Sequence, residues 1–173
     1  MTIPPASARL IFRAWENDDK EPLHAINSDP KVMQYVGDGE VWSAGRTRRF
    51  IESAAEMLGR SGYCQWPLIH RTSGCLIGFC GLVDCGEVPE IGWRLARGYW
   101  GQGLATEAAT AVLNHARGIL GLTRVMATVQ TENAASVRVI EKLGMTQDRT
   151  FQRDGREVAV YYCCLASSVR LPG

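Results

Sequence analysis

Two spacings of apolar residues run through the chain, and each indicates a different kind of element. Apolar residues three and four positions apart are typical of a helix that buries one face. This spacing predicts a short helix around Leu23 and Ile26, one or two helical turns from Val32 to Val36, and longer helices over 44–58, 104–120 and 134–143. Asn17 and Ser43 suit helix N-termini, and Gly121 and Gly144 suit helix ends.

Runs rich in apolar, β-branched and aromatic residues predict strands. The predicted strands are 9–15, 63–70, 75–84, 88–95, 124–130, 145–153 and 156–165. Turn signals at Thr72-Ser73-Gly74 and Asp154-Gly155 indicate two hairpins. The order of the elements predicts one mixed α/β (α+β) domain over 1–173, with a central sheet of about six to seven strands and about four helices.

Composition narrows the classes of protein that the chain can represent. It is 46% hydrophobic and 21% charged, which is typical of a globular protein, and its net charge of +1 favours neither a nucleic acid nor an acidic partner. The first residues lack the pattern of a signal peptide, and no apolar run approaches membrane-spanning length. We therefore expect a cytoplasmic protein without membrane or nucleic-acid partners.

The cysteines and histidines show no spacing that suits a metal. There is no Cys-x-x-Cys, and His24, His70 and His115 lie on separate predicted elements. Several cysteines fall inside strand-like apolar runs, so we expect reduced thiols packed as small hydrophobic side chains. No metal site is predicted. The six cysteines are Cys64, Cys75, Cys80, Cys85, Cys163 and Cys164.

The stretch Arg97–Glu107 runs from a predicted strand through a glycine-containing loop into a predicted helix. Such a turn directs unpaired backbone N–H groups and the positive end of the helix dipole to one point, which suits a phosphate. A Walker A loop is excluded because no lysine lies in it, and a Rossmann fingerprint because the loop follows an antiparallel-looking meander. Gly101 and Gly103 could also serve only to permit a tight turn.

A second motif follows about 30 residues later, and with it the chain resembles the GNAT-type acyl-CoA N-acetyltransferases. Within that family it is most similar to the ribosomal-protein-alanine N-acetyltransferase (RimJ/RimL-like) branch. The resemblance covers nearly the whole chain, including Ala8–Arg13, Asp29–Met33 and Ile77–Leu82. Its most specific parts are Glu90–Leu95, Tyr99–Ala108 and Asn133–Ser136.

The resemblance implies a GNAT-like sheet whose two central parallel strands splay apart and hold acetyl-CoA as co-substrate. The pantetheine arm would complete the sheet by backbone hydrogen bonds, and the pyrophosphate would lie on the amides of the glycine loop. The residues expected to bind the cofactor are Trp93, Arg94, Leu95, Tyr99, Trp100, Gly101, Gln102, Gly103, Leu104, Ala105, Asn133 and Arg138. Arg138 and Lys142, four residues apart, could approach the 3′-phosphate or form a solvated face.

The chain departs from the family pattern at two positions. Gly98 stands where many members have Gln or Arg, and Arg97 lies one residue early for a phosphate contact. Ile140 replaces a tyrosine that often protonates the departing thiolate. In the RimJ/RimL-like branch a serine is thought to take that role, so the resemblance assigns it to Ser136.

Catalysis of acetyl transfer to an amine benefits from a base, because amines are mostly protonated at neutral pH. The resemblance assigns the base to Glu90, acting through a water, although a solvated glutamate after Pro89 is the simple alternative. A backbone N–H between Trp93 and Leu95 would meet the oxyanion. Asn133 would bind the pantetheine arm, or cap a helix, or both.

The acceptor is left open by the sequence. A protein or peptide N-terminal amine is the favoured acceptor, an aminoglycoside, polyamine or other small amine is the second, and a non-catalytic acyl-CoA-binding domain is the third reading. The protein could be a monomer or a homodimer.

Overall fold

The computed structural model of the protein describes residues 2–165, so the ends of the predicted 1–173 domain lie outside the described residues. The strands are β1 (Leu10–Phe12), β2 (Gln65–His70), β3 (Leu76–Val83), β4 (Glu90–Leu95), β5 (Arg124–Gln130), β6 (Thr146–Arg153) and β7 (Arg156–Cys164). The helices are α1 (Lys20–Asn27), α2 (Pro30–Met33), α3 (Ala44–Ser61), α4 (Leu104–Gly118) and α5 (Ala134–Lys142). Short 3₁₀ turns precede α1 and α4.

All seven strands belong to one sheet in the order β1-β2-β3-β4-β5-β7-β6. Only β4 and β5 are parallel neighbours; every other pair is antiparallel. The predicted mixed α/β fold is confirmed. The described residues contain five helices, of which four have eight residues or more, in agreement with the expected number of about four. The fifth, the four-residue α2, begins at Pro30 in the first helical position and is capped by the Asp29 side chain, which accepts from Lys31 N–H.

Helices cover both faces of the sheet. Helix α4 packs on one face, where His115 meets Trp66 edge-on with ring centroids 5.8 Å apart. Trp66 is paired with the residue after Phe79, so Phe79 points to the opposite face. There it forms a cluster with Leu23 of α1 and Ile51 of α3. Residues along each strand therefore alternate between the α4 face and the α1/α3 face.

The two parallel strands separate soon after they meet. β4 is paired with β3 along its whole length, but with β5 only at Glu90 and Met126, where Met126 N–H donates to Pro89 C=O at 2.9 Å. On the other side, β5 is paired with β7 from Arg124 to Gln130. The predicted splay of the central strands is confirmed, and it leaves an open gap beyond Glu90.

Candidate active site

A cavity of about 190 Å³ lies in the gap between β4 and β5. It brings together four residues predicted for the site, Glu90, Trp93, Asn133 and Ser136, from β4 and from the start of α5. The loop after α2, residues 35–37, and the β6–β7 hairpin complete its walls. Residues far apart in the chain thus meet where the sheet opens.

The cavity reaches both faces of the sheet. Arg94 contacts Asn27 of α1, so Glu90, four residues earlier on the same strand, lies on the α1/α3 face. The neighbouring Trp93 points to the α4 face and packs against its core cluster. Two molecules could therefore approach the gap from opposite sides of the sheet and meet within it.

Backbone groups along β4 alternate in direction as well. Ala96 N–H donates to Ile77 of β3 at 2.8 Å, whereas Pro89 C=O faces β5. The alternation turns the amides of even-numbered residues toward β3 and those of odd-numbered residues toward the gap. Trp93 and Leu95 thus present their N–H groups to the gap beyond the last β4–β5 pairing, as an oxyanion donor requires.

The side chain of Arg94 does not line the cavity. By the same alternation its amide faces β3, and its buried guanidinium donates to Asn27 Oδ1 at 2.6 Å. The guanidinium lies 4.3 Å from the Trp42 ring centroid and 5.0 Å from that of Phe79. Burial, and then the charge of Arg46, lower the pKa of Arg94 to about 9. Its predicted contact with the cofactor has no support from its position.

The two carboxylate oxygens of Glu90 have different surroundings. Oε1 accepts hydrogen bonds from Thr128 N–H at 3.1 Å and from the Thr128 hydroxyl. In a continued parallel ladder the C=O of Ile91 would take that N–H, so the carboxylate occupies the place of a strand carbonyl. Oε2 accepts only a long contact of 3.5 Å from the Cys85 thiol among the described residues. Oε2 is therefore the oxygen available to a substrate.

Cys85 stays a thiol beside this carboxylate. Burial, and then the charge of Glu90 and the hydrogen bond to it, raise the pKa of Cys85 to about 11. A thiol that keeps its proton at neutral pH can donate to Oε2 but is a poor nucleophile. Cys85 is therefore a hydrogen-bond donor to the Glu90 carboxylate and not a second reactive group.

The start of α5 forms the wall of the cavity on the other side of the gap. The side-chain oxygen of Asn133 accepts from Ser136 N–H at 3.2 Å, so Asn133 is the N-cap of the helix. Its NH₂ group has no partner among the described residues and can donate to a ligand. Ser136 is half-buried and lines the cavity. Capping and ligand binding are thus compatible at Asn133.

The glycine loop leads into α4 at one edge of the gap. Gly101 and Gly103 have φ of 72° and 78°, a conformation that disfavours other residues, and Gly103 is the N-cap. The first helical bond joins Glu107 N–H to Gly103 C=O, so the amides just before Glu107 lack helical partners. The loop is braced by Trp100 Nε1, which donates to Leu95 C=O at 2.8 Å, and by Gln102 Nε2, which donates to Gly98 C=O at 3.0 Å.

The other residues considered for contacts with the cofactor phosphates do not line the cavity. Leu104 is buried in the core, and Tyr99 packs against His70 with ring centroids 5.5 Å apart. Arg97 forms an ion pair with Asp29 at 3.3 Å. Arg138 and Lys142 are exposed on α5 and do not line the cavity. The predicted role of Arg138 at the cofactor stays a prediction.

Three contacts of the site were missed in the sequence. They are the Thr128–Glu90 pair, the ion pair of Arg9 with Glu107 at 2.7 Å, and the contacts of Arg156. Each joins elements whose pairing cannot be read from local patterns. Glu107 belongs to the loop motif, but only the fold reveals its partner.

Arg156 of β7 braces the loop that forms the cavity wall on the α1/α3 side. Its guanidinium donates to Gln34 C=O at 3.2 Å, to Asp38 C=O at 3.1 Å and to Gln130 Oε1 at 3.2 Å. Gln130 in turn donates to Gly37 C=O at 3.4 Å. The loop after α2 is thereby fixed to β5 and to the β6–β7 hairpin.

Metal ligands are not grouped anywhere among residues 2–165, where no three His, Cys, Asp or Glu side chains could hold an ion. All six cysteines are free, three of them buried. In the same range no helix has the length and apolar character needed to cross a membrane.

The chain is similar to known acetyltransferases in sequence and in fold. Residues 9–146 match the Acetyltransferase (GNAT) domain. The N-acetyltransferase YnaD of Bacillus subtilis is 33% identical over 147 residues, which are 84% of each chain. A GNAT-family acetyltransferase structure from Bacillus anthracis has a TM-score of 0.83 and 28% identity, covering 95% of this chain and 99% of that one.

A second similar structure is RimL, a ribosomal L7/L12 α-N-protein acetyltransferase, in complex with coenzyme A. It has a TM-score of 0.80 and 20% identity, covering 94% of this chain and 98% of that one, and at this identity the likeness shows the fold. The family match and the relatives together decide the classification. The chain belongs to the GNAT acetyltransferase family and is an acyltransferase.

Proposed function

We propose that the protein transfers an acetyl group from acetyl-CoA to a primary amine by direct attack in a ternary complex. The GNAT fold uses acetyl-CoA, and the related RimL structure holds coenzyme A. The observation that carries the proposal is the cavity that passes through the splayed sheet. In this proposal the cofactor lies on the α4/α5 side and the amine approaches from the α1/α3 side.

The gap supplies hydrogen-bond donors for the cofactor. The pantetheine arm would run beside β4 and use the free backbone groups of Trp93, the N–H of Leu95 and the NH₂ of Asn133, whereas the Leu95 C=O is already bound by the Trp100 indole. Its pyrophosphate would lie on the amides between Gly101 and Thr106, where the α4 dipole favours negative charge. The same Trp93 and Leu95 amides would stabilise negative charge on the carbonyl oxygen of the thioester.

Two side chains would move the protons. Glu90 Oε2 would accept a proton from the amine, directly or through a water, and leave its lone pair free to attack the thioester carbon. As the carbon–sulfur bond breaks, Ser136 would give its hydroxyl proton to the sulfur and would regain one, through solvent, from the attacking nitrogen, which must lose its second proton to become an amide. Glu90 would then release its own proton to solvent before the next turnover. Oε1 would stay bound to Thr128 throughout, which keeps the base in place.

We infer that the acceptor is a single amine such as a peptide or protein N-terminus. Among the described residues that line the cavity, Glu90 is the only carboxylate, and Arg153 is a nearby cation. A polyamine or an aminoglycoside carries several positive charges and would lack partners there. RimL is named for acetylating the α-amine of a ribosomal protein, which is the same class of acceptor.

The setting proposed for this activity is the cytoplasm, with the protein acting as a monomer or homodimer without nucleic-acid partners. Its free cysteines suit a reducing compartment. Its net charge of +1 gives no long-range attraction to phosphate backbones.

The test is a screen of acceptors with acetyl-CoA that follows release of free thiol. The acceptors are peptides with a free N-terminus, the same peptides blocked at the N-terminus but containing lysine, spermidine, and an aminoglycoside. We expect turnover with the free N-termini. Binding of CoA with no turnover on any amine would instead support a non-catalytic acyl-CoA-binding domain.

Variants then test the two assigned residues. Glu90→Gln keeps an oxygen for Thr128 but removes the base, so we expect kcat/KM to fall by about 10²–10⁴-fold. Ser136→Ala should lower kcat while CoA binding persists. The matched control is Glu87→Gln, because Glu87 is an exposed glutamate in the loop that leads into β4. Full activity in both site variants would refute the residue roles and leave the family membership intact.

A further inference from the structure

Glu107 is an acid at the end of α4 where the proposed function puts a pyrophosphate. It lies in the first turn of the helix, and its side chain is only 18% exposed. A carboxylate in that turn stabilises the helix through its dipole. The same charge would repel phosphate groups bound at the same helix end. Some other group has to neutralise it if this end is to hold an anion.

Arg9, 98 residues away in the chain, provides that neutralisation. Its Nε and Nη2 atoms each lie 2.7 Å from Glu107 Oε2. Its backbone N–H donates to Oε1 at 2.8 Å, and the Ser7 hydroxyl donates to the same oxygen at 2.6 Å. Burial acts to raise the pKa of Glu107, but the bonds from Ser7 and Arg9 and the charge of Arg9 outweigh it and lower the pKa.

Arg9 also orients the peptide that begins the helix. Its Nη1 atom donates to Gln102 C=O at 2.9 Å. In a trans peptide the C=O and the following N–H point in opposite directions. With the Gln102 oxygen held toward Arg9, the N–H of the N-cap Gly103 is aimed away from it, to the outside of the loop.

The segment that carries Arg9 is itself held in place. Arg71, in the turn between β2 and β3, donates from its backbone N–H to Arg9 C=O at 2.9 Å. Its side chain donates to Ser7 C=O, also at 2.9 Å. The guanidinium of Arg9 therefore acts from a fixed position rather than from a loose chain end.

We propose that Arg9 is a positioning residue for CoA: it neutralises Glu107 and aims the Gly103 amide at the pyrophosphate. Arg9 need not touch the cofactor, since it acts through Glu107 and through the Gln102–Gly103 peptide. The proposal rests on the proposed function, because it requires CoA to bind at this loop.

Calorimetric titration of CoA into the folded protein tests the proposal without an acceptor. Arg9→Met leaves the carboxylate uncompensated, so we expect Kd for CoA to rise about tenfold. Glu107→Gln removes the charge and keeps an oxygen for Ser7 and Arg9, so its Kd should equal the wild-type value or fall below it. The double variant should recover most of the affinity lost in Arg9→Met. Arg9→Lys should fall between wild type and Arg9→Met, because it keeps the charge but not the three-way contact.

Each outcome separates this role from a merely structural one. If Arg9 and Glu107 only join β1 to α4, Glu107→Gln will weaken binding and the double variant will bind no better than Arg9→Met; either result overturns the proposal. Unchanged binding in Arg9→Met overturns it too. Arg48→Met, which removes an exposed ion pair with Glu52 on α3, is the control and should bind CoA like the wild type.

Two further measurements complete the design. Thermal unfolding of every variant identifies any that is not folded, and Glu107→Gln, whose expected effect has the opposite sign, decides the matter if Arg9→Met unfolds. Titration of 3′-dephospho-CoA should show the same fold-changes, because the pyrophosphate is retained. Failure of the wild type itself to bind CoA would count against the proposed function instead.

Discussion

Thr128→Val isolates the support that β5 gives to the proposed base. Thr128 holds Glu90 Oε1 through its N–H at 3.1 Å and through its hydroxyl. Valine has nearly the same shape, so the substitution removes the hydroxyl bond and retains the backbone bond. The carboxylate then keeps one of its two anchors to β5.

The expected size of the effect follows from the partners. A hydrogen bond to a charged group contributes about 1.5–3 kcal/mol, and we take about 1.5 kcal/mol because both residues are only half-buried. If that energy holds the base in its working position, its loss lowers kcat about tenfold. The KM for acetyl-CoA should not change, since Thr128 points to the α1/α3 face with Glu90 rather than to the α4 face.

The assay is steady-state acetylation of the best acceptor from the screen, followed by thiol release, with unfolding by urea in parallel. Thr128→Ser retains a hydroxyl and should recover most of the rate. A drop in kcat that serine does not rescue, or a rise in KM for acetyl-CoA of similar size, would refute the idea that this hydroxyl positions Glu90. Wild-type kcat in Thr128→Val would refute it as well.

Two further predictions concern stability. Arg94→Met removes a buried cation that has no acidic partner among the described residues, so the free energy of unfolding measured in urea should rise by about 1–2 kcal/mol. A fall would mean that the hydrogen bond to Asn27 and the contacts with the aromatic rings outweigh the cost of burying the charge. Burial lowers the pKa of His115 from 6.5, so its ring is neutral when folded and gains a proton more readily when unfolded. The contribution of His115 to the free energy of unfolding is therefore complete above pH 6.5. It is lost as the pH falls toward the pKa of the folded state, by at most about 1.4 kcal/mol per pH unit. The free energy of unfolding in urea should therefore fall less between pH 7 and pH 5 in His115→Gln than in the wild type. An equal fall in both proteins would contradict this prediction.

Local patterns were enough to predict most elements, because their signals are local. β5 was predicted at its observed bounds, 124–130, from a run of apolar and β-branched residues. The first strand was predicted over 9–15 but spans Leu10–Phe12. The β1–β2 ladder ends at Phe12. Beyond it, Arg13 pairs with Asp19 and the Trp15 indole donates to Gln65 C=O of β2, so side-chain contacts rather than strand pairing hold these residues.

The site was predictable only in part, for the same reason. The family motifs place Glu90, Trp93, Asn133 and Ser136, and the fold brings them to one cavity. Two contacts depend on which elements become neighbours in the fold. Thr128 holds Glu90, and Arg97 pairs with Asp29 rather than standing free for a phosphate. Strand pairing and helix docking set these contacts, and no short-range pattern encodes them.

The way Arg156 holds the loop after α2 has an evolutionary consequence. Two of its hydrogen bonds go to the backbone carbonyls of Gln34 and Asp38, which any residue would provide. The side chains of Tyr35 and Val36, which line the cavity, can therefore mutate without loosening the loop. Selection could thus diversify the proposed acceptor wall step by step while the glycine loop and α4, proposed to hold the cofactor, are inherited unchanged.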